Sequence, residues 1–312
     1  MFPSTHRFSF LHAGAFVTLL MVMTTAVAQS PATTPGQPTA PATRPQSSSG
    51  QQSAAGSQSA ADTQPGPENP DNEWLAKASK LYFSSAKAGL AGFNCDIHPD
   101  WHALFLSANK GAEAPGSDAY VAQLKKIKVK MHARMQGGST IEWVADSSDA
   151  NAPSGDANAV IDSMHQTVQQ ILEGFLQFWS PFMQVTVVPP KADGLEITHA
   201  PTSHTIHAKQ GTTELTEIFN NSLVLEHFNV TLAGTSIKLA PTFEPTPQGL
   251  LVKSFSTEIV PAGAAPEQTQ RMQVRVEYQT VNNQTIPGQL NMEIVGTGNF
   301  NFGFDGCSTE SN

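Results

Sequence analysis

Apolar and polar side chains alternate near the C-terminal end of the chain, and this alternation predicts β-strands. From residue 272 to residue 278 every second side chain is apolar, and polar side chains lie between them. A strand with one dry face and one wet face has this period of two. The apolar positions are Met272, Val274, Val276 and Tyr278. Turn residues at Asn282-Asn283 and two further apolar runs predict two more strands, the last of which ends at Cys307.

Segments of the same kind fill the chain between residues 183 and 260, where turn residues such as Asn220-Asn221 separate them. Short connections place successive strands side by side, so we predict an up-and-down meander, which should curl because it has many strands. The strands predicted here are Gln184–Val188, Leu195–His199, Thr205–Lys209, Thr213–Phe219, Leu223–Leu232, Ser236–Leu239 and Leu250–Val260. Nearer the N-terminus the predicted strands are Phe93–Ile97, Lys125–Met135 and Thr140–Ala145.

One strong helix is predicted at Asp156–Phe182, where apolar side chains recur at intervals of three and four residues. We expect Pro181 to end this helix. Shorter helices are predicted at Glu73–Leu90 and Trp101–Ala108. Together the elements predict an α+β fold, in which a strongly curved antiparallel β-sheet, a half-barrel-like meander, wraps against one long and one or two shorter helices.

The N-terminal part of the chain has the pattern of an export signal followed by a linker. Arg7 precedes an apolar core, and Ala26-Val27-Ala28 matches a signal peptidase site, so residues 1–28 are predicted to be a signal peptide. The apolar core is too short to span a membrane, and we expect no transmembrane segment in the mature chain. Residues 29–71 are rich in Pro, Ser, Thr, Gln and Ala and predict a disordered tether. A single domain is expected at 72–308, with a short tail at 309–312, in a protein that is periplasmic or secreted.

Net charge and cysteine content bear on the binding partner and on the arrangement of the strands. The net charge of -9 argues against a nucleic-acid partner. The chain has two cysteines, Cys95 in the first predicted strand of the domain and Cys307 in the last. In an exported protein a lone pair favours a disulfide, with two buried free thiols as the alternative. A disulfide would make the first and last strands neighbours in the sheet or place them face to face.

The sequence contains no nucleophile motif, no phosphate-binding loop and no zinc-protease motif. His98 and His102 have Pro99 between them, and strand alternation puts His204 and His207 on opposite faces, so we expect no metal site. No cofactor and no enzymatic activity are predicted. Several strand carboxylates are interpreted as wet-face side chains, and a sugar-cleaving pair among them is the alternative. These carboxylates are Glu214, Glu217, Glu226 and Glu258.

A resemblance to a known family follows from the order of elements. An amphipathic helix and a short strand come after the signal peptide, and a meander with a final aromatic strand follows later. Residues 276–288 (Val276-Glu277-Tyr278-Gln279-Thr280-Val281 through Ile286-Pro287-Gly288) resemble the penultimate hairpin of the lipoprotein localisation factor and related periplasmic lipid-carrier domains. That resemblance implies a curved antiparallel sheet around helices, a hydrophobic cavity for acyl chains and no cofactor.

We therefore expect an exported, non-catalytic binding protein with an apolar cavity between the sheet and the helix at 156–182, whose partner is a lipid or a lipidated protein. The residues expected to line the cavity are Val168, Leu172, Phe175, Leu176 and Trp179. The first alternative is a structural or interaction domain of the cell envelope with a packed core and an unknown partner. The second alternative is a hydrolase that uses the histidines or the strand carboxylates.

Overall fold

The computed structural model describes residues 69–108, 117–135, 138–144, 156–184 and 187–311. The predicted signal peptide and nearly all of the predicted tether lie outside these residues. Strands make up 53% of the structure and helices 24%. Within the described ranges, no helix is both long enough and apolar enough to cross a membrane.

The predicted α+β class is wrong, because one antiparallel sheet that is not closed dominates the molecule. Several strands are longer than the sequence pattern indicated. The predicted strand Ser236–Leu239, for example, is the first part of a strand that runs from Thr235 to Thr246. The long apolar helix is present, but the other α-helices described have ten residues or fewer. The molecule is therefore an open β-sheet to which helices are added.

The described part of the chain contains four α-helices, which are α1 (Pro70–Ser79), α2 (Trp101–Ala108), α3 (Ser117–Leu124) and α4 (Asp156–Gln184). Asn69 caps α1, since its side chain accepts a hydrogen bond from the Asp71 backbone N–H at 3.0 Å. The helix stops well before Leu90, where we expected its end. The chain beyond it bonds elsewhere: Leu81 O accepts from the Leu250 N–H, and the Phe83 N–H donates to Leu250 O. The bounds predicted for α2 are confirmed.

Helix α4 continues past Pro181, which we expected to end it. An internal proline removes a backbone donor and costs stability. Phe182 and Met183 in the same turn are 5% and 0% exposed, so their burial offsets that cost. The predicted strand Gln184–Val188 is also wrong. Gln184 is the last residue of α4, and Val188 lies in a bend.

All twelve strands of the described chain belong to one antiparallel sheet. Its order is β3-β2-β1-β12-β11-β10-β9-β8-β7-β6-β5-β4, so β4 to β12 form the predicted up-and-down meander. The strands are β1 (Leu90–Pro99), β2 (Lys128–Arg134), β3 (Ser139–Val144), β4 (Glu196–His199), β5 (Ser203–Gln210), β6 (Thr213–Asn220), β7 (Leu225–Leu232), β8 (Thr235–Thr246), β9 (Gly249–Val260), β10 (Gln270–Val281), β11 (Gln284–Ile294) and β12 (Gly298–Ser311).

The first and last strands are neighbours, which is one of the two arrangements that a disulfide predicted. β1 and β12 pair antiparallel, and a disulfide joins Cys95 to Cys307 across this pair. The bond closes a loop of 212 residues in sequence. The first and last strands therefore lie inside the sheet, third and fourth from the β3 edge, rather than at its edges.

Helix α4 crosses one face of the sheet, which we call the inner face. Near the start of the helix the His165 ring stacks on Trp143 of β3, with ring centroids 4.0 Å apart. At its end the Phe182 ring lies 6.0 Å from Phe243 of β8. The helix thus reaches from the edge strand β3 to β8, the eighth of the twelve strands in sheet order. The hydrophobic core lies between the inner face and this helix.

Candidate functional site

The predicted cavity-lining residues come together on one side of α4, inside the core. Val168, Leu172, Phe175 and Trp179 are each 0% exposed, and Leu176 is 7% exposed. The Trp179 ring lies 5.6 Å from Phe175 and 6.2 Å from Phe93 of β1, measured between ring centroids. The five side chains therefore form the contact between α4 and the inner face.

A short hydrogen-bond chain fixes the C-terminal half of α4 to the sheet. The Trp179 indole N–H donates to the Tyr278 hydroxyl at 3.0 Å, and that hydroxyl donates to Val252 O at 2.6 Å. Burial raises the pKa of the Tyr278 hydroxyl well above its usual range, so it stays a donor at neutral pH. These two hydrogen bonds connect α4, β10 and β9.

A series of aromatic contacts extends the core from the C-terminal end of α4 to the β6–β7 turn. Phe182 contacts Phe243, and Phe243 contacts Tyr82 at a centroid distance of 5.3 Å. The Tyr82 hydroxyl donates to Leu223 O at 2.9 Å and accepts from the Leu225 N–H at 2.7 Å. Both bonds hold the turn in which Leu223 adopts a φ of 63°. Tyr82 is 1% exposed, and burial raises its pKa.

Six inner-face residues lie directly opposite one another on adjacent strands, and we call them the inner row. Four of them are apolar, as expected on a face that carries the core. Glu217 and Thr257 are the polar members. In strand order from β5 to β10 the inner row is Ile206, Glu217, Phe228, Leu239, Thr257 and Met272.

Glu217 is a buried carboxyl group with one oxygen that lacks a hydrogen-bond partner among the described residues. It is 5% exposed, and its Oε2 atom makes no hydrogen bond to any residue that the structure describes. Burial raises the pKa of Glu217 from its ordinary value of 4.5 to about 8. The carboxyl is therefore largely protonated at neutral pH.

Our interpretation of Glu217 as a wet-face carboxylate is wrong, and the sequence carried the signal to avoid it. Leu215 and Phe219 lie two residues before and after Glu217 on β6. Side chains two residues apart share a face of a strand, so alternation places Glu217 with these two apolar residues. The other carboxylates make polar contacts at the surface: Glu214 pairs with Lys209, Glu226 accepts from Asn220, and Glu258 pairs with Arg271.

Thr257, three strands away from Glu217, is a second buried polar side chain of the inner row. It is 3% exposed, and its hydroxyl has no hydrogen-bond partner within the described ranges. Phe255, two residues earlier on β9, contacts Phe178 and Phe182 of α4. On β9, Thr257 is therefore the next inward residue after Phe255, which α4 contacts. The inner row runs across the sheet through Thr257, beside these contacts.

A separate cluster of histidines lies where α1 meets the β4–β5 edge of the sheet. Nδ1 of His199 lies 2.7 Å from Nδ1 of His204, and His199 Nε2 donates to Asp71 Oδ1 at 3.1 Å. Trp74 packs against both imidazole rings. Burial, with the neighbouring His199 as a smaller cause, lowers the pKa of His204.

This cluster does not have the geometry of a metal centre. His199 uses opposite ring nitrogens for Asp71 and His204, so the three side chains do not point to one coordination position. His207 lies apart from the cluster and pairs with Glu196 at 3.7 Å. Across the described ranges, no group of three or more metal-ligating side chains could hold an ion.

The outer face of the sheet carries an open groove with a volume of about 590 Å³. Lys238 and Arg271 contact Glu258 from the two neighbouring strands, at 4.0 Å and 3.4 Å. Small side chains, Ala240 and Ser256, lie beside this row of charges. The groove lies on the face opposite the core, and both charged and apolar side chains line it.

The fold and its sites define an open, twelve-stranded antiparallel β protein whose inner face holds an apolar core with two polar side chains that lack partners in the described chain. Compared with known proteins, the chain matches no family model, no curated protein and no solved structure.

Proposed function

We propose that this chain is an exported, non-catalytic binding protein that holds a lipid or another acyl chain in its apolar interior. The observation that carries the proposal is the inner face itself, which continues beyond its contacts with α4 as an apolar row that contains Glu217 and Thr257. Buried polar groups in folded proteins almost always have hydrogen-bond partners. An unpaired carboxyl oxygen on an apolar row, that of Glu217, favours an interior that receives the polar end of a ligand.

The chemistry of the surroundings favours an amphiphile over a polar ligand. The other four members of the inner row are apolar: Ile206, Phe228, Leu239 and Met272. An acyl chain against such side chains gains roughly 0.8 kcal/mol for each methylene that leaves water. The hairpin of β10 and β11 contains the segment that resembles lipid carriers, which supports the same proposal. Export rests on the sequence of residues 1–28.

Uptake of N-phenyl-1-naphthylamine, whose fluorescence rises in apolar surroundings, tests the proposal. We expect the full chain to bind this probe at micromolar concentrations and Val168→Phe, which enlarges a buried side chain at the contact between α4 and the inner face, to bind it more weakly. Gln169→Ala is the matched control, since Gln169 is exposed on the same helix and donates to Glu173. The proposal fails if a folded wild-type chain, verified by circular dichroism, takes up no probe.

A structural or interaction domain of the envelope is the second candidate. Complete burial of Val168, Leu172, Phe175 and Trp179 favours it, because ring contacts of this kind are typical of a packed core. The outer-face groove would then be the surface that a partner contacts. Capture of one defined envelope partner by the full chain, with loss of capture in Lys238→Glu and no binding of the naphthylamine probe, would favour this candidate.

A further inference from the structure

We propose that Glu217 anchors the headgroup of the bound amphiphile, and that this headgroup is a hydrogen-bond donor of the primary amine class rather than a carboxylate. The inference rests on the proposed function, because it names the polar end of the molecule that the interior holds.

The position of Glu217 supports an anchoring role. Ile206 and Phe228 lie opposite it on the two neighbouring strands, so apolar side chains flank the carboxyl. Its Oε2 atom has no hydrogen-bond partner in the part of the chain that the structure describes. The nearby Tyr82 hydroxyl is engaged by two backbone groups of the β6–β7 turn. The carboxyl therefore keeps bonding capacity that a ligand can use.

The charge of the surroundings decides which headgroup fits. None of the ion pairs between described residues includes Glu217, and its raised pKa has burial as its cause. A fatty-acid carboxylate would bring a second acidic group to a buried acid, which is unfavourable. An ammonium group brings the missing positive charge and three N–H donors.

Binding of an ammonium headgroup has a proton balance that can be measured. Near pH 7 the free protein holds a proton on Glu217, and the amine carries its own proton as ammonium. The neighbouring positive charge lets Glu217 ionise, so its O–H bond breaks and the proton passes to the buffer. No covalent bond forms to the ligand, and the product is a carboxylate–ammonium pair. We expect release of about one proton for each amine bound.

Thr257 supplies a matched control on the same row. Its hydroxyl is also buried without a partner among the described residues, and it lies three strands, or roughly 14 Å, from Glu217. Thr257→Val removes the hydroxyl with little change of shape. A headgroup held at Glu217 does not depend on that hydroxyl, so headgroup preference is expected to persist in Thr257→Val.

The experiment uses three probes with the same twelve-carbon chain: dodecylamine, dodecanol and dodecanoate. Their affinities for the full-length wild type, Glu217→Gln and Thr257→Val are measured by displacement of the naphthylamine probe. Calorimetry in two buffers of different ionisation enthalpy counts the protons released. We expect wild type and Thr257→Val to bind dodecylamine about tenfold or more tightly than dodecanoate, and Glu217→Gln to lose both this preference and the proton release.

The outcomes separate the two proposals. If all three probes bind with equal affinity and Glu217→Gln changes nothing, the headgroup inference is overturned while the proposed function stands. If dodecanoate binds most tightly to the wild type, the inference is also overturned. If no twelve-carbon probe binds the folded wild type, the proposed function fails and the inference fails with it. Glu217→Gln is expected to fold, because it removes the carboxyl that burial disfavours as a charge.

Discussion

At the scale of single residues, the face of a strand decides the chemistry of a carboxyl group. Glu258 lies on the outer face between Lys238 and Arg271, where it is a charged surface group. Glu217 lies on the inner face, where burial raises its pKa to about 8. A residue that titrates near neutral pH inside an apolar face links folding, and in our proposal ligand binding, to protons.

Glu217→Gln tests this burial through the pH dependence of stability. The folded state binds the Glu217 proton more tightly than the unfolded state, since its pKa is about 8 instead of 4.5. The stability that this proton contributes is complete below the unfolded pKa and is lost as the pH rises through the folded pKa. We expect the wild type to lose a few kcal/mol of unfolding free energy relative to the variant between these two values.

Urea denaturation of both proteins at several pH values from 4 to 9 measures this difference, and titrations common to both proteins cancel in it. A stability difference that stays constant across this range would show that folding does not raise the pKa of Glu217.

The Tyr278 hydroxyl is expected to matter more for stability than its size indicates. Tyr278→Phe leaves the Trp179 indole N–H and Val252 O without their bonds, which costs about 1–3 kcal/mol. Tyr120→Phe is the control, because the Tyr120 ring stacks on Phe105 and is only partly buried. Chemical denaturation of both variants gives the comparison. Equal losses in the two variants would contradict a specific role for the Tyr278 hydroxyl.

Residue-scale features differ in how far the sequence reveals them. The inward position of Glu217 is readable, since Leu215 and Phe219 share its alternation. Its missing partner is not readable, because the opposing side chains Ile206 and Phe228 come from strands whose register only the fold sets. The helical continuation through Pro181 likewise depends on tertiary burial of Phe182.

At the scale of elements, the segment after α1 shows how the sheet overrides local helix preference. The periodic apolar residues of 73–90 predicted a longer helix, but Leu81 and Phe83 form backbone bonds with Leu250 at the start of β9. These long-range bonds compete with helical bonds and win because the same segment buries Tyr82 and Phe83. Local periodicity cannot report such a contact.

Gly249 makes this contact possible, and its replacement is expected to be severe. A Cβ atom there would lie 2.8 Å from Phe83 N and from the Tyr82 carbonyl carbon, at a φ of +121°. We expect Gly249→Ala to cost more than about 2 kcal/mol, from steric overlap and backbone strain. Gly263→Ala is the control: its φ is +68°, and no described atom lies within 4 Å of its new Cβ.

Thermal or urea unfolding measures both glycine variants. We expect Gly263→Ala to cost only about 1–2 kcal/mol, from backbone strain alone. If Gly249→Ala costs no more than the control, the contact between β9 and residues 81–83 is not rigid.

The disulfide is an element-scale feature that the sequence favoured over two free thiols, and the structure confirms it. Removing it with Cys95→Ala and Cys307→Ala is expected to lower the unfolding free energy by about 5 kcal/mol, since the loop of 212 residues is then free in the unfolded state. Urea denaturation of oxidised, reduced and doubly substituted protein measures the effect. Equal midpoints for the oxidised and reduced chains, with thiols counted by mass, would show that the bond contributes no stability.

At the scale of the whole molecule, the strand meander was predictable but the class was not. Alternation found most strands from Leu195 onward, and the short turns gave their order. Several strands proved longer, and the first helix shorter, than the local pattern indicated. An open sheet with 53% of the structure in strands therefore replaced the predicted α+β balance. The length of a strand depends on its neighbour, because a strand extends as far as the neighbour offers backbone hydrogen-bond partners. A local stretch of sequence does not contain that information.

The central claim is that the apolar interior holds an amphiphile, and native mass spectrometry of the full chain purified from a bacterial host tests it most directly. We expect a lipid adduct at about one per chain, or uptake of one dodecylamine when it is added, and we expect Glu217→Gln to reduce that uptake. A folded chain, recognised by its native charge distribution, that is detected without a lipid adduct and takes up no added amphiphile would contradict this proposal.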